Sequence, residues 1–281
     1  MLITLTPLLL DARAKGVAIG SFNVYSYDTA RAVLEAGAST NTPVIVAFGE
    51  KYLSNMSFGD IAAICASVAR DHAIDYVLHL DHCKSLDNIE KAIAAGFSSV
   101  MIDGSNLGFA DNVNLTRQAV AMAHAAGVSV EAELGSLAAG ADAQEVGAGA
   151  GQVYTDAGEA ADFVATTGVD ALAVSIGTVH GSYKGKPDIR IDVLDAIRAV
   201  VDTPLVLHGG SGTPELTIRA CIRAGITKIN VNTEISQAAV AQVRTALTGP
   251  TQPHLADVDL VVQKAAMGVV VEQNTLFTNL A

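Results

Sequence analysis

The chain reads as an α/β protein: a single (β/α)8 TIM barrel with an N-terminal helix and a C-terminal helical extension. Three observations predict it. Eight short, β-branched apolar runs punctuate the sequence, Ala-rich amphipathic segments separate them, and glycines stand where those segments give way to the next run. Near-continuous apolar runs of this length suit strands covered on both faces, which is the condition of a parallel sheet. A length of 281 residues would ordinarily suggest two domains. Barrels of about 250 residues are the usual exception, however, and no break in composition divides the chain, so residues 1–281 are expected to form one barrel domain.

The elements follow in order. Residues 1–16 hold an apolar run interrupted by Pro7 and followed at once by Asp11, Arg13 and Lys15. With no basic stretch before it and no small-residue cleavage pattern after it, the run is expected to be a packed helix and not a signal peptide. The predicted strands are 17–24, 43–48, 75–80, 98–102, 128–134, 170–176, 204–208 and 226–231. Between them, residues 28–36 place Ala30, Val33 and Leu34 on one helical face, with Gly37 as the expected stop. Residues 111–126 repeat the pattern through Val113, Ala119, Val120 and Ala123, and Gly96, Gly127, Gly168 and Gly225 end other helices. Two long loops break the rhythm: residues 135–154 after the fifth strand and 177–190 after the sixth. Loops of that length in compact domains are usually functional. A doubly wound open sheet is the weaker alternative, because no GxGxxG follows the first strand.

Composition narrows the function. With 17 Lys and Arg against 29 Asp and Glu the net charge is −12, which disfavours nucleic acid and anionic membranes as partners. No apolar stretch approaches the 18 or so residues of a membrane span. The three cysteines, Cys65, Cys83 and Cys221, form no CxxC pair and read as ordinary core residues of a reducing compartment. A cytoplasmic protein is expected.

In a barrel, polar residues at the carboxyl ends of strands face the active site. Here those ends carry His79-Leu80-Asp81-His82, Asp103, Glu131 and Glu133, His180, His208 and Asn230. His82, His180 and His208 come from three different strand ends that converge on one mouth. Neutral imidazoles on separate rigid elements are a catalytic zinc arrangement, whereas any one of them alone would as readily cap a loop carbonyl. Asp81 beside such a ligand is placed for proton transfer. Asp103 and Glu133 either hold a second or displaced metal position or accept hydrogen bonds from the histidines. Glu131 reads as a buried partner for Lys or Arg, and His79 as a packing or supporting residue. His72, His124 and His254 sit in or beside helices and are assigned no role. Gly209-Gly210-Ser211-Gly212-Thr213-Pro214 after the seventh strand and Asn230-Val231-Asn232-Thr233 after the eighth match the recurring barrel phosphate site. Lys184 is either a compensating positive charge over the same mouth or a solvated loop residue.

These segments, together with MIDGS at 101–105, VEAELG at 130–135, DALAVSIGTVHGSYKG at 170–185 and LHGGSG at 207–212, resemble the metal-dependent class II ketose-bisphosphate aldolases, the group of fructose- and tagatose-bisphosphate aldolases. The resemblance runs in order from Ser21 to Thr233. It implies a zinc enzyme that reversibly cleaves a ketose 1-phosphate or ketose bisphosphate to dihydroxyacetone phosphate and an aldehyde, through an enediolate that zinc stabilises. By similarity His82, His180 and His208 bind the zinc, Asp81 donates a proton to the aldehyde oxygen, and Asp103 and Glu133 match a second metal position. Gly181, Gly209, Gly210, Ser211, Asn230, Val231, Asn232 and Thr233 match the donor-binding segments, and Asn23 and Lys184 resemble residues near the donor phosphate. The resemblance also implies a homodimer or homotetramer and admits a second divalent ion or a monovalent cation.

The sequence departs from the family pattern at three places. Gly49 stands where Ser or Thr usually lies near the phosphate. The lid after the fifth strand reads Ala138-Ala139-Gly140-Ala141-Asp142 and lacks the usual glutamate, leaving Asp142 or Glu145 as the base that deprotonates the donor. Residues 247–281 contain Lys264 as their one Lys or Arg, so the site for a second phosphate is not evident. Two other readings stand beside the aldolase. A metal-dependent barrel hydrolase would usually carry an HxH pair on its first strand, where this chain has Phe22-Asn23-Val24. A non-catalytic sugar-phosphate-binding barrel subunit would be expected to lack zinc ligands that are present here.

Overall fold

The computed structural model describes residues 1–72, 74–140, 153–181, 183, 185 and 187–279. Eight parallel strands close a barrel: β1 (Ile19–Asn23), β2 (Val44–Gly49), β3 (Tyr76–Cys83), β4 (Ser99–Ile102), β5 (Ser129–Leu134), β7 (Ala171–Val174), β9 (Leu205–Leu207) and β10 (Ile226–Val231). β1 pairs with both β2 and β10, so the sheet has no free edge. Two further short strands, β6 (Ala138–Ala139) and β8 (Val179–His180), pair with each other outside the barrel and tie together the two long loops.

All eight predicted strands are present, with limits that differ by at most three residues and agree fully at 226–231. The largest difference is at β3, which runs on to Cys83 and thereby includes Asp81 and His82. Gly96, Gly127, Gly168 and Gly225 all have positive φ, as helix stops require. Gly37 does not act as one. Helix α2 (Tyr27–Thr40) continues through it and ends at Asn41, whose φ is +48°. A Cβ on Gly37 would lie 2.9 Å from Val44 Cγ1, so this glycine serves close helix–strand approach instead.

The barrel is plugged at its amino-terminal mouth by α1 (Leu5–Lys15). Leu5, Leu8, Leu9 and Ala12 pack with Ile19, Ile45, Val77, Ala171, Ala173 and Val206 from the inner faces of the strands. Fully burying one such leucine contributes roughly 1.5–3 kcal/mol. Pro7 is accommodated because it falls in the first turn, where its missing N–H has no partner to lose. A second, larger core lies between the outer face of the sheet and the surrounding helices. The C-terminal extension is α10 (Leu255–Thr278), which packs on α2 and on α9 (Thr233–Leu247) and buries Ala266, Val270 and Phe277. With one mouth closed by α1, the polar inner positions of the strands open only at the carboxyl end. No helix among the described residues is long and apolar enough to cross a membrane.

Candidate metal centre and active site

The functional side chains start from parity. Along a strand every second residue faces the barrel interior. On β3 this puts Val77, His79 and Asp81 inside, and on β5 it puts Ser129, Glu131 and Glu133 there. His82 has the wrong parity and reaches the site by a distortion. Between Leu80 and Cys83 of β3 the register with β4 slips by one residue, and His82 has φ +48°. A bulge with left-handed backbone re-aims a side chain in this way, at a local energetic cost.

Four residues converge at the open mouth. The ligand atoms of His82, Glu133, His180 and His208 all lie within 4.8 Å of one another. The ring centroids are 5.0 Å apart for His82 and His180, 4.6 Å for His82 and His208, and 6.0 Å for His180 and His208. His82 Nδ1 donates to Asp103 Oδ2 at 3.0 Å, and His208 Nε2 donates to Glu131 Oε1 at 2.9 Å. Each hydrogen bond leaves the opposite ring nitrogen facing the cluster, where the neutral imidazole offers a lone pair. His82 Nε2, His208 Nδ1 and Glu133 Oε2 are all buried without a hydrogen-bond partner among the described residues. Buried polar atoms are rarely left so unless something else satisfies them. Three imidazoles and a carboxylate are a donor set for a divalent transition ion, and these residues fit one.

The electrostatics agree. Burial pushes Glu133 up to about 8, reinforced by the neighbouring carboxylate of Asp103. Burial opposes a charge on His82, yet Asp81, Asp103 and Glu133 around it outweigh that and raise it to about 10. The cluster thus retains protons because negative charge is concentrated there, a demand that a divalent cation meets. Asp103 is not in the group of four. Its Oδ1 accepts from the Ser105 backbone at 3.1 Å and hydroxyl at 2.6 Å, so it stands behind His82 and orients it.

Asp81 lies next to the cluster, 1% exposed. Asn23 Nδ2 donates to its Oδ2 at 2.9 Å and Asn230 Nδ2 to its Oδ1 at 3.2 Å. Burial alone would raise its pKa; His82 and Lys228, followed by His208 and His79, outweigh burial and hold it well below the usual carboxylate range. Asn23 is thus engaged with Asp81, and not with the turns after β9 and β10.

On the other side, Ser211 joins the two glycine-bearing turns. Its Oγ accepts from Asn232 N at 3.2 Å and Glu234 N at 3.3 Å, capping the start of α9. Gly209 has φ +70°, and a Cβ there would meet Val179 O at 2.3 Å; Gly210 N donates to Asn230 O at 3.0 Å. Gly209, Gly210, Ser211, Asn230, Val231, Asn232 and Thr233 are therefore brought together at the helix N-terminus, an arrangement suited to an anion. Gly181, with φ +89°, follows His180 directly. Gly49 leaves room for Tyr52, whose ring would lie 3.2 Å from a Cβ at that position and whose hydroxyl accepts from Asn232 Nδ2 at 3.2 Å. A cavity of about 710 Å³ opens beside it, lined by Tyr25, Tyr52, Asn232, Thr233 and Arg244. Asp142, Glu145 and Lys184 lie outside the described residues.

Glu131 is the buried partner of a lysine that its sequence context suggests, but the sequence shows neither that the lysine is Lys228 nor that Glu131 also holds His208. Both are fully buried, with Lys228 Nζ 2.9 Å from Glu131 Oε2. Burial raises Glu131, but Lys228 and the His208 hydrogen bond more than offset it and bring it to about 2. The available signal was parity: Glu131 shares that of Glu133, and Lys228 that of Asn230. His79 is a supporting residue, with Nδ1 2.8 Å from Ser99 Oγ. The cysteines are buried, and desolvation pushes the Cys65 and Cys221 thiols up to about 12, in keeping with core residues. His254 caps α10, and His124 lies 2.8 Å from Asp170.

Comparison with known proteins places this geometry. The YdjI aldolase from Escherichia coli K12 superposes with a TM-score of 0.86 at 35% identity, over 99% of this chain and 97% of that one. A protein from Coccidioides immitis assigned as a fructose-1,6-bisphosphate aldolase gives 0.88 at 28% identity, covering 96% and 94%. Fructose-bisphosphate aldolase from Campylobacter jejuni gives 0.82 at 23% identity, covering 98% and 95%, which speaks to the fold alone. The profile of the class II fructose-bisphosphate aldolases matches residues 3–279. With that profile spanning nearly the whole sequence, the chain belongs to the class II fructose-bisphosphate aldolase family, a family of metal-dependent aldolases.

Proposed function

We propose that the chain, acting as one aldolase domain, reversibly cleaves a ketose 1-phosphate or ketose bisphosphate to dihydroxyacetone phosphate and an aldehyde, with Zn2+ at His82, His180, His208 and Glu133. The observation that carries this reading is the convergence, beside Asp81, of His82 Nε2, His208 Nδ1 and Glu133 Oε2, buried without hydrogen-bond partners among the described residues and with His208 Nδ1 3.4 Å from Glu133 Oε2. Bound there, the metal supplies Lewis acidity to the ketone carbonyl. Asp103 and Glu131 hold the imidazoles in the tautomers that face the ion; Asp103 together with Glu133 also offers a displaced second position.

Asp81, ionised and fixed by Asn23 and Asn230, takes the proton from the substrate hydroxyl in cleavage and returns it to the aldehyde oxygen in condensation. Gly181, Lys184, Gly209, Gly210, Ser211, Asn230, Val231, Asn232 and Thr233 bind the donor and its phosphate, with backbone N–H groups providing most of the recognition. Asp142 or Glu145 abstracts the donor proton. The scarcity of basic residues in 247–281 favours an acceptor without a second phosphate. The protein is assigned to the cytoplasm, as a homodimer or homotetramer.

The test isolates the donor half-reaction. Zinc-loaded protein is incubated with dihydroxyacetone phosphate in D2O, and exchange at the hydroxyl-bearing carbon is followed by NMR, with chelated protein and His180→Ala as controls. Metal-dependent exchange is expected. Its absence, with zinc and donor both bound, would overturn the aldolase reading in favour of a non-catalytic barrel.

A further inference from the structure

Lys228 is fully buried inside the barrel. A buried ammonium is expensive to desolvate and is retained only where its hydrogen bonds are good. Lys228 Nζ is 2.9 Å from Glu131 Oε2 and 3.1 Å from Glu131 Oε1, and it donates to Asn230 Oδ1 at 2.7 Å. Each partner leads onward to a different half of the site. Glu131 Oε1 accepts from His208 Nε2 at 2.9 Å, and Asn230 Nδ2 donates to Asp81 Oδ1 at 3.2 Å.

The chemistry of the ammonium gives this branching a direction. An ammonium has donors and no acceptor. It therefore admits only the oxygen of the Asn230 amide on its side, which forces the amide N–H2 toward Asp81. The flipped amide would set N–H2 against the ammonium and oxygen against the Asp81 carboxylate, unfavourable on both sides. On the other branch the ammonium holds the Glu131 carboxylate where it accepts from His208. The proton then stays on Nε2, and the Nδ1 lone pair points to the ligand cluster.

We propose that Lys228 is a positioning residue that sets two things at once: the His208 tautomer needed for metal binding and the Asn230 orientation needed by Asp81. The catalytic half of this proposal rests on the aldolase reading above; the metal half does not.

The experiment compares the parent with Lys228→Met, Asn230→Ala and the corresponding double variant. Zinc affinity is measured by chelator competition. Turnover is measured with dihydroxyacetone phosphate and glyceraldehyde as probe substrates. Lys228→Met is expected to weaken zinc binding by about 10–100-fold, the usual effect of losing a partner behind a ligand. At saturating zinc its kcat should fall about 10²-fold, the scale of a small misplacement of a reacting group. KM for dihydroxyacetone phosphate should change less than kcat, because Asn230 is one of several donor-binding groups and the Gly209–Ser211 turn is untouched. Adding Asn230→Ala should cost little further kcat, since both changes act on the same hydrogen bond to Asp81.

Should Lys228→Met fail to fold, Glu131→Gln/Lys228→Met removes both buried charges together. Zinc affinity does not discriminate in this pair, because Glu131 itself holds His208, so kcat is compared at saturating zinc: positioning predicts the loss that follows a freed Asn230 amide, whereas a lysine that merely neutralises Glu131 predicts parental kcat. Parental zinc affinity and kcat in a folded Lys228 variant, or losses that multiply with Asn230→Ala, would overturn the proposal. A parent that binds zinc without turning over would retire the reaction. The affinity arm would still decide the role of Lys228 toward His208.

Discussion

In the proposed reaction the proton transfer falls to Asp81. Two amides point donors at its two oxygens, and the positive groups around it keep it ionised despite burial. An ionised carboxylate so placed accepts a proton from a substrate hydroxyl without first losing one of its own. Asp81→Asn keeps the shape and removes the proton acceptor. Its kcat for carbon–carbon cleavage is expected to fall about 10²–10⁴-fold, while exchange of the dihydroxyacetone phosphate proton in D2O persists. An equal loss in both assays would move Asp81 to the donor half. Asp81 and Glu133 were legible as candidates because they stand at the carboxyl ends of strands, and His79 as a supporting residue because it alternates with Asp81. For Asp103 the sequence left two readings, metal ligand or hydrogen-bond acceptor behind a histidine, and the placing of Ser105 and the His82 ring decides for the second.

At the scale of elements, glycines and a bulge do what regular strands cannot. The β3 bulge brings His82 to the same mouth as Asp81, although the two are adjacent in sequence and a regular strand would point them to opposite faces. Gly209 lets the β9 turn lie against β8, the strand that carries His180. In Gly209→Ala the left-handed backbone costs about 1–2 kcal/mol, and the new Cβ pushes on Val179, next to His180. We expect a lower Tm together with weaker zinc binding, measured by thermal unfolding and chelator competition. A variant that lost stability but kept parental zinc affinity would show that β8 yields without moving His180. Gly37 makes the opposite point. Its sequence context reads as a helix stop, but the tight packing of α2 on Val44 determines its use, and that contact is between residues distant in the local pattern.

For the whole molecule, metal binding at the proposed centre would couple to proton release and to stability. Without metal, His82 is raised to about 10 and Glu133 to about 8, so both hold protons at neutral pH. Binding must expel them, because only the deprotonated forms ligate. Zinc affinity is therefore expected to rise with pH from 6 to 8, with release of about two protons per ion at pH 7. Titration in weakly buffered indicator solution measures this, and affinity independent of pH would contradict the ligand assignment. Chelation should also lower the Tm. An ion at 100 times its Kd stabilises by about 2.7 kcal/mol, an effect that added zinc should restore.

The sequence alone determined the strand count, the closed α/β barrel, the N-terminal and C-terminal helices and the family, because each rests on local periodicity, composition and motif order. It also put the polar constellation at the carboxyl ends of the strands. Tertiary structure alone decided how those residues divide their work. His82 enters the site only through a slipped register; Asp103 and Glu131 each face a histidine nitrogen; Lys228 meets a glutamate 97 positions away. These are contacts across a closed barrel, where distance in space is set by strand tilt and register and leaves no trace in the spacing of residues along the chain.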